Sequence, residues 1–241
     1  MKKSLWFALA LLSALCYAWH AYRLERSNYS QLLLCFALPF MAYFILLLWR
    51  KPRPKIQHLI YTAIAFRLIF LFVVPTLSDD YFRFLWDGQL FANGLNPFDL
   101  KPIEVETDFP QKEVLLAEMN SPEYYSIYPP MAQYIYAFAA WLFPQSILGG
   151  VVVMRLLILA AEIGSLWLLP KVLQSFFMNR EKTLIYALNP LVIVELTGNL
   201  HFEPIVIFFL LLAIWILKKD DLIFGSLAWA MAAATKLIPL L

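Results

Sequence analysis

The sequence VVVMRLLILAAEIGSLWLLPKVL, residues 151–173, decides the fold class. It is apolar apart from a few polar residues, and its charged residues are Arg155, Glu162 and Lys171. A run of roughly 17 to 25 mostly apolar residues crosses a hydrocarbon core about 30 Å thick as a helix, because a helix satisfies its own backbone hydrogen bonds there. This stretch therefore predicts a membrane-spanning helix.

Further apolar runs lie on both sides of it, at residues 4–22, 30–49, 57–75, 183–200, 204–217 and 222–241. The chain is 62% hydrophobic and 15% charged, with a mean hydropathy of +0.68, whereas soluble domains are roughly half apolar and a quarter charged. We predict an all-α fold, a polytopic transmembrane helix bundle forming a single domain over residues 1–241. The last run reaches residue 241 without a charged anchor, as in the N-terminal part of a longer bundle.

Basic residues predict the orientation of the bundle, because cytoplasmic loops collect Lys and Arg. Lys2 and Lys3 place the N-terminus inside, and a second basic cluster falls inside after two crossings: Arg50, Lys51, Arg53 and Lys55. The third span then leaves residues 76–150 outside as one large external loop. Residues 128–143 are apolar but short, and a span there would move all later basic clusters outside, so we predict an interfacial helix.

The external loop begins with Ser78-Asp79-Asp80, in which Ser78 is placed to cap a new helix. At helical spacing, Asp80, Arg83 and Asp87 share a narrow charged stripe opposite an apolar arc. We predict an amphipathic juxtamembrane helix lying flat at the outer membrane boundary. The alternative is that Asp79 and Asp80 merely complement the helix dipole.

Farther along the loop, a turn cluster at residues 93–98 precedes an acidic stretch at residues 101–120. Tyr124, Tyr125 and Tyr128 then return the chain to the interface. Tyrosines are enriched at membrane–water boundaries, so simple anchoring is the alternative to a role for Tyr128 at a site.

Ionisable residues inside the predicted spans need a partner or a purpose, since a charge in the membrane costs several kcal/mol. Arg67, Arg155, Glu162, Glu195 and Lys236 are such residues. If Glu162 has a structural role and no role at a site, it forms an ion pair with Arg67 or Arg155. If Lys236 has no role at a site, its amine extends toward the membrane interface.

The connection after Glu195 carries Asn199, His201 and Glu203, and the predicted topology places it outside. These side chains therefore lie on the same side as Asp80, and we expect one external pocket. His201 as an ordinary surface residue is the alternative.

The ordered set of motifs resembles the GT-C-type glycosyltransferases, in particular their bacterial mannosyltransferase-like branch. The resemblance covers about residues 55 to 241 and rests on the following residues: Ser78-Asp79-Asp80, Phe82-Arg83-Phe84-Leu85-Trp86-Asp87-Gly88, Gly94-Leu95-Asn96-Pro97-Phe98, Tyr128-Pro129-Pro130, Arg155, Asn189-Pro190-Leu191, Gly198-Asn199-Leu200-His201-Phe202-Glu203 and Lys236-Leu237-Ile238-Pro239. The chain departs from the family pattern by two additional spans before the loop and by an earlier end.

The resemblance implies an enzyme that transfers a sugar, mannose by family analogy, from a polyprenyl-phosphate donor to an acceptor hydroxyl. An Asp at the start of the first external loop is the general base in such enzymes, and we match Asp80 to it, with Asp79 second. The mechanism inverts the anomeric carbon. Cations or hydrogen-bond donors then stabilise the leaving phosphate, and the candidates are Arg83, Arg155, His201 and Lys236. The remaining predicted substrate-binding residues are Asp87, Tyr128, Glu195, Asn199 and Glu203.

No cofactor is predicted, because a lipid-linked donor needs no nucleotide cradle; a divalent metal on Asp79, Asp80, His201 and Glu203 is the alternative. The predicted partners are the polyprenyl-phosphate sugar donor, a lipid or glycan acceptor, and membrane lipids. A net charge of +2 is too small to indicate nucleic acid. We predict a protein of the bacterial inner membrane with its active site on the non-cytoplasmic face. The competing functions are a transporter or flippase of lipid-linked sugars and a non-catalytic scaffold.

Overall fold

A computed structural model describes residues 3–49 and 54–241, without the side chain of Lys3. Every regular element in this part of the chain is helical. Part of the predicted cytoplasmic charge lies outside the described residues, namely Lys2, Arg50, Lys51 and Arg53. The predicted all-α helix bundle is confirmed.

The α-helices are α1 (Lys3–Arg23), α2 (Tyr29–Leu48), α3 (Ile56–Leu68), α4 (Asp80–Ala92), α5 (Lys112–Glu118), α6 (Pro130–Leu142), α7 (Ile147–Ser175), α8 (Thr183–Ala187), α9 (Glu203–Leu217) and α10 (Leu222–Thr235). A π-helical segment, Val192–Gly198, lies between α8 and α9. Single 3₁₀ turns occupy Pro102–Glu104, Arg180–Lys182 and Ile238–Leu240.

Among the described residues, α1, α2 and α7 are each long and apolar enough to cross a membrane. The π-helical segment and α9 together qualify as a fourth candidate, bent by 108° at the break between them. Helices α3 and α10 are shorter. That all seven apolar runs cross the membrane therefore stays a prediction. Helix α6 has 13 residues, about 20 Å at 1.5 Å per residue, and is too short to span, which fits an interfacial helix.

Three predicted spans differ in extent from the helices of the structure, and one of them, predicted at residues 222–241, is an α-helix only to Thr235. The helix predicted at residues 57–75 ends at Leu68, and the carbonyls of Leu71 and Val73 accept from Arg155 instead of continuing a helical ladder. The helix predicted at residues 183–200 is interrupted between α8 and the π-helical segment. Pro190 lies at this interruption, where its ring nitrogen has no proton to donate.

Helix α4 is more deeply packed in the protein than the predicted stripe of charged residues facing water implies. Its residues from Arg83 to Leu90 are all buried. Gly88 allows the closest approach, since a Cβ atom there would stand 2.3 Å from the carbonyl oxygen of Tyr136 in α6. The charged stripe exists, but Arg83 and Asp87 face protein instead of water.

Within residues 3–49 and 54–241, two apolar cores hold the bundle together. One surrounds α4 and α6 and includes Trp86, Leu115 and Met154. The other joins α1, α2 and α3 to α8 and is built around Tyr17 and Phe66. Many large apolar side chains elsewhere remain exposed, as expected of helices whose solvent is lipid.

The charged features separate to two ends of the bundle. At one end, Arg26 in the α1–α2 turn meets Asp79 ahead of α4. At the other end, the amines of Lys171 and Lys219 lie over the rings of Trp167 and Trp215, 2.8 and 3.5 Å from the respective ring centroids. Such cation and aromatic pairs are typical of a membrane boundary. We refer to the first end as the acidic end.

Candidate active site

Asp79 and Asp80 open α4 at the acidic end and have different surroundings. The Asp79 carboxylate accepts from Arg26 Nη1 at 2.7 Å, and both side chains are about half exposed, at 43% and 59%. The Asp80 side chain is half-buried, and its Oδ1 accepts from Asn120 Nδ2 at 2.9 Å. Asp79 is therefore engaged by a cation, whereas Asp80 is held through one oxygen by a neutral amide.

The predicted binding residues Arg83 and Asp87 form a buried pair, with Arg83 Nε 2.8 Å from Asp87 Oδ1. The guanidinium also donates to the carbonyls of Ser121 and Tyr124 at 3.0 and 2.9 Å. Ser126 Oγ donates to Asp87 Oδ2 at 2.5 Å. The pair thus fastens residues 121–126 over α4.

Burial raises the pKa of the Asp87 carboxyl above its ordinary value, although Arg83, Ser126 and Gln133 act in the opposite direction. A carboxylate with this many partners has its lone pairs committed to protein groups. Arg83 and Asp87 therefore support the loop beside Asp80, and the structure gives neither a free face toward solvent.

Tyr128 belongs to an aromatic cluster beside Asp80. Its ring is edge-on to Phe84 and Tyr136, at 5.1 and 5.6 Å between centroids. Phe202, from the turn before α9, packs edge-on against the same two rings. The cluster therefore joins the start of α9 to α4 and α6.

The pKa values of the tyrosines in this cluster are raised, mainly by burial. Burial raises the pKa of Tyr128, and the charges of Asp80 and Asp87 add to the effect. Burial likewise raises the pKa of Tyr136, with Asp80 and Glu203 among the contributing charges. Asp80 and Glu203, which the sequence predicts on the same outer side, therefore both contribute to the raised pKa of Tyr136.

Glu195, Asn199 and His201 form a polar group at the end of the π-helical segment. Asn199 Nδ2 donates to Glu195 Oε2 at 3.1 Å, and His201 Nδ1 is 4.0 Å from the same oxygen. Asn199 Oδ1 accepts from the backbone of Leu77 at 3.3 Å. Asn199 thereby ties this group to the segment that leads into Asp79 and Asp80.

Lys236, at the end of α10, pairs with Glu203 at the start of α9. Lys236 is 41% exposed and Glu203 is 31% exposed. The second oxygen of Glu203, Oε2, is buried and has no hydrogen-bond partner among the residues that the structure describes. The pair closes the side of the site formed by α9 and α10.

Arg155 and Arg67 are fully buried, and their guanidinium groups bind backbone carbonyls and a carboxylate inside the bundle. Arg155 donates to the carbonyls of Thr197 and Gly198 at 2.9 Å each, and to those of Leu71 and Val73. It therefore satisfies carbonyls that have no helical donor. Arg67 Nε pairs with Glu162 at 3.0 Å, which decides the open alternative in favour of Arg67.

The predicted site residues thus fall into two sets. One set lies around the aromatic cluster or is joined to it: Asp79, Asp80, Tyr128, Glu195, Asn199, His201, Glu203 and Lys236. The other set, Arg83, Asp87 and Arg155, is buried behind it with protein partners. The part of the chain that the structure describes has no group of three or more His, Cys, Asp or Glu arranged for a metal ion. The absence of a cofactor stays a prediction.

Arg26 and Asn120 contact the two aspartates but were not among the predicted site residues. Arg26 is far from Asp79 in sequence, and its loop carries no motif. Asn120 ends a polar stretch that contains several acidic residues, and nothing in its sequence context distinguishes this asparagine. Polar groups in a folded protein usually have hydrogen-bond partners, so partners for the two aspartates could be expected. That expectation does not say which residues the partners are.

The fold and the site first define a class, a polytopic helical membrane protein whose ionisable side chains gather at one end of the bundle. Within that class the chain belongs to the Alpha-(1->6)-mannopyranosyltransferase family, because residues 7–241 match the N-terminal domain of that family. This confirms the resemblance to bacterial mannosyltransferases of the GT-C type.

A relative from Corynebacterium glutamicum, Alpha-(1->6)-mannopyranosyltransferase B, is 26% identical over 147 residues. The aligned part covers 60% of this chain and 24% of the relative, so the chain spans about a quarter of that protein's length. No solved structure matches the chain.

Proposed function

We propose that the protein is a membrane mannosyltransferase that moves mannose from a polyprenyl-phosphate donor to an acceptor hydroxyl outside the cytoplasm. Family membership supports the mannosyl group. The observation that carries the chemistry is the state of Asp80, whose carboxylate is half-buried and held through Oδ1 by Asn120. Oδ2 is then the oxygen that meets an acceptor.

Asp80 acts as the general base in this proposal. Its carboxylate takes the proton of the acceptor hydroxyl while the hydroxyl oxygen attacks the anomeric carbon of mannose. The bond from that carbon to the phosphate oxygen breaks, and the electron pair leaves with the lipid phosphate. A single displacement on the face opposite the phosphate inverts the anomeric configuration. Asp79 is the weaker candidate, because Arg26 already holds its Oδ2.

Tyr128, His201 and the Glu203–Lys236 pair form the proposed walls of the sugar site. Aromatic rings with polar edges and carboxylate or amide acceptors suit a sugar, which presents both C–H faces and hydroxyls. Arg83 and Arg155 act indirectly in this scheme, since both are buried and donate to carbonyls of the protein, and Arg83 also donates to Asp87. We place the site on the non-cytoplasmic face, because basic residues are concentrated at the opposite end.

The test uses the purified protein in nanodiscs with radiolabelled polyprenyl-phosphate mannose and an extract of acceptor lipids. Asp80→Asn keeps the size and the Asn120 contact but removes the base, so transfer should fall by about a hundredfold or more. Asp79→Asn should retain most of it. Equal transfer by wild type and Asp80→Asn would remove Asp80 from the mechanism, and loss only in Asp79→Asn would exchange their roles.

A further inference from the structure

At the end of the bundle opposite to the acidic end, lysines and aromatic rings from α7 and α9 form one cluster. Trp167 and Lys171 lie four residues apart in α7, on one face of the helix. Trp215 lies near the end of α9, and its ring meets that of Trp167 edge-on at 6.3 Å between centroids. We refer to the following residues as the lysine–aromatic cluster: Trp167, Lys171, Phe176, Trp215, Lys218 and Lys219.

Every lysine of this cluster lies over an aromatic ring. The Lys171 amine contacts the tryptophan of its own helix and is also 5.6 Å from the ring centroid of Trp215. The Lys219 amine is 3.5 Å from the same centroid, and the Lys218 amine is 4.2 Å from that of Phe176. Two amines from different helices therefore share the Trp215 ring, which attracts both of them.

The positive charge of the cluster is unpaired across the described part of the chain. Over the two described ranges, none of its three lysines forms an ion pair. Asp220 and Asp221 follow in sequence, and the Asp221 carboxylate caps α10 by accepting from the backbone of Phe224 at 3.1 Å. A ring face attracts an ammonium group without cancelling its charge, and a lysine amine has three protons to donate. The amines therefore keep the capacity to bind an anion.

The cluster also presents apolar surface next to its amines. Trp167 is 58% exposed and Phe176 is 47% exposed, and Phe177 and Met178 beyond them are exposed as well. Tryptophan and lysine side chains near the end of a membrane helix lie at the depth of the lipid headgroups. Three amines beside apolar rings suit a ligand that has an anionic headgroup and a hydrocarbon part.

We propose that the lysine–aromatic cluster binds the headgroup of an anionic phospholipid. The amines of Lys171, Lys218 and Lys219 hold the phosphodiester, and the rings pack against the glycerol and the acyl chains. Charge complementarity supports this occupant, because basic pockets between membrane helices on the cytoplasmic side suit anionic headgroups. A soluble anion would gain from the amines alone, whereas a lipid also covers Trp167 and Phe176. The inference does not depend on the proposed function, because the proposed active site lies at the other end of the bundle.

The experiment measures lipid binding by native mass spectrometry of the purified protein in detergent. The probes are phosphatidylglycerol, phosphatidylcholine with the same acyl chains, and the soluble headgroup analogue glycerol phosphate. We expect phosphatidylglycerol to bind at least about tenfold more tightly than either of the others. Equal binding of phosphatidylcholine would show an apolar lipid contact without a role for the lysines. Equal binding of glycerol phosphate would show a site for a soluble anion, and either result would overturn the proposal.

Substitutions distinguish this cluster from the general positive charge at the same end of the bundle. Lys171→Gln and Lys219→Gln should each weaken phosphatidylglycerol binding by about fivefold, as expected for a basic residue beside an anionic headgroup. Lys182→Gln is the matched control, because Lys182 also follows the end of α7 but lies over no ring of the described residues. We expect this control to bind like wild type. Equal losses in Lys182→Gln and Lys219→Gln would show diffuse attraction and overturn the site.

A conservative variant separates the charge of Lys219 from its packing. Lys219→Arg keeps the charge and should bind phosphatidylglycerol within about twofold of wild type. Equal weakening in Lys219→Arg and Lys219→Gln would show that packing on Trp215 matters and the charge does not, which contradicts the assignment.

Thermal unfolding gives a second measurement. Because the proposed lipid contacts both α7 and α9, phosphatidylglycerol should raise the unfolding midpoint of wild type more than that of the double variant with Lys171→Gln and Lys219→Gln. Equal shifts in the two proteins would refute binding at this cluster.

Discussion

Arg67 in α3 and Glu162 in α7 form an ion pair at 3.0 Å, with both side chains fully excluded from solvent. Arg67 also donates to the carbonyls of Ala63 and Ala187, and Tyr186 donates to Glu162 at 3.0 Å. The pair thus connects α3, α7 and α8 in one network. Such a network is costly to break on one side, because the surviving charge stays buried.

We expect Glu162→Gln to lower the free energy of unfolding by about 3 to 5 kcal/mol, the usual cost of leaving a buried charge without its partner. The measurement is denaturation in detergent micelles. Glu104→Gln is the control, because Glu104 pairs with Lys101 at 3.6 Å on a partly exposed surface, where loss costs under about 1 kcal/mol. Equal effects of the two substitutions would show that the buried pair contributes no more than a surface pair.

Gly88 provides a test of the packing of α4 on α6. In Gly88→Ala the new Cβ would meet the backbone carbonyl of Tyr136 at 2.3 Å, so the two helices must separate. We expect a loss of about 1 to 3 kcal/mol in the free energy of unfolding. Gly164→Ala is the control, since its Cβ would meet only the far part of the Phe208 ring, which can move aside. A smaller loss for Gly88→Ala than for Gly164→Ala would contradict the close approach.

Asn120 should act as a positioning residue for Asp80. Asn120→Ala removes the hydrogen bond to Oδ1, so the carboxylate samples unproductive rotamers; we expect kcat of mannosyl transfer to fall about tenfold with KM little changed. Asn93→Ala removes a similar exposed amide, which donates to the carbonyl of Gln89 at 2.8 Å, and should leave kcat unchanged. A rise in KM alone for Asn120→Ala would assign Asn120 to substrate binding instead.

Tyr128 yields a pH prediction. Burial and the nearby charges of Asp80 and Asp87 raise its pKa above the ordinary value of about 10. A raised pKa favours the neutral phenol, so the hydroxyl remains a donor throughout the neutral and mildly alkaline range. We expect Tyr128→Phe to lower kcat/KM by a constant factor from about pH 6 to pH 9. An alkaline fall below about pH 9 in wild type that Tyr128→Phe lacks would contradict the raised pKa.

The sequence was sufficient for the fold class, whereas the site residues that it named stay predictions. Long apolar runs identify α1, α2 and α7, because hydrocarbon admits few other structures. Asp80 and Tyr128 follow from their place in the external loop. The grouping of Glu195, Asn199 and His201 follows from their spacing in one short turn.

Other features depend on contacts between residues that are distant in sequence, and the periodicity of apolar residues does not predict such contacts. The stripe containing Arg83 and Asp87 looks the same whether it faces water or a covering loop, and here residues 121–126 cover it. The unwinding after α3 depends on Arg155, which is distant in sequence. The contact of Arg26 with Asp79 joins two segments that share no pattern.

The wide winding of Val192–Gly198 has a consequence for how the site tolerates change in chain length. A π-helical turn accommodates an extra residue relative to an α-helix, as in the bond from Asn199 N to the carbonyl of Val194 at 2.8 Å. Deleting one residue there would restore ordinary winding and leave the residues after it nearly in their present phase, because the wide turn takes up the extra residue. The same deletion within α9 would instead rotate the rest of that helix by about 100°. The alignment of this polar turn with the aspartates can therefore survive the loss of one residue from the π-helical segment.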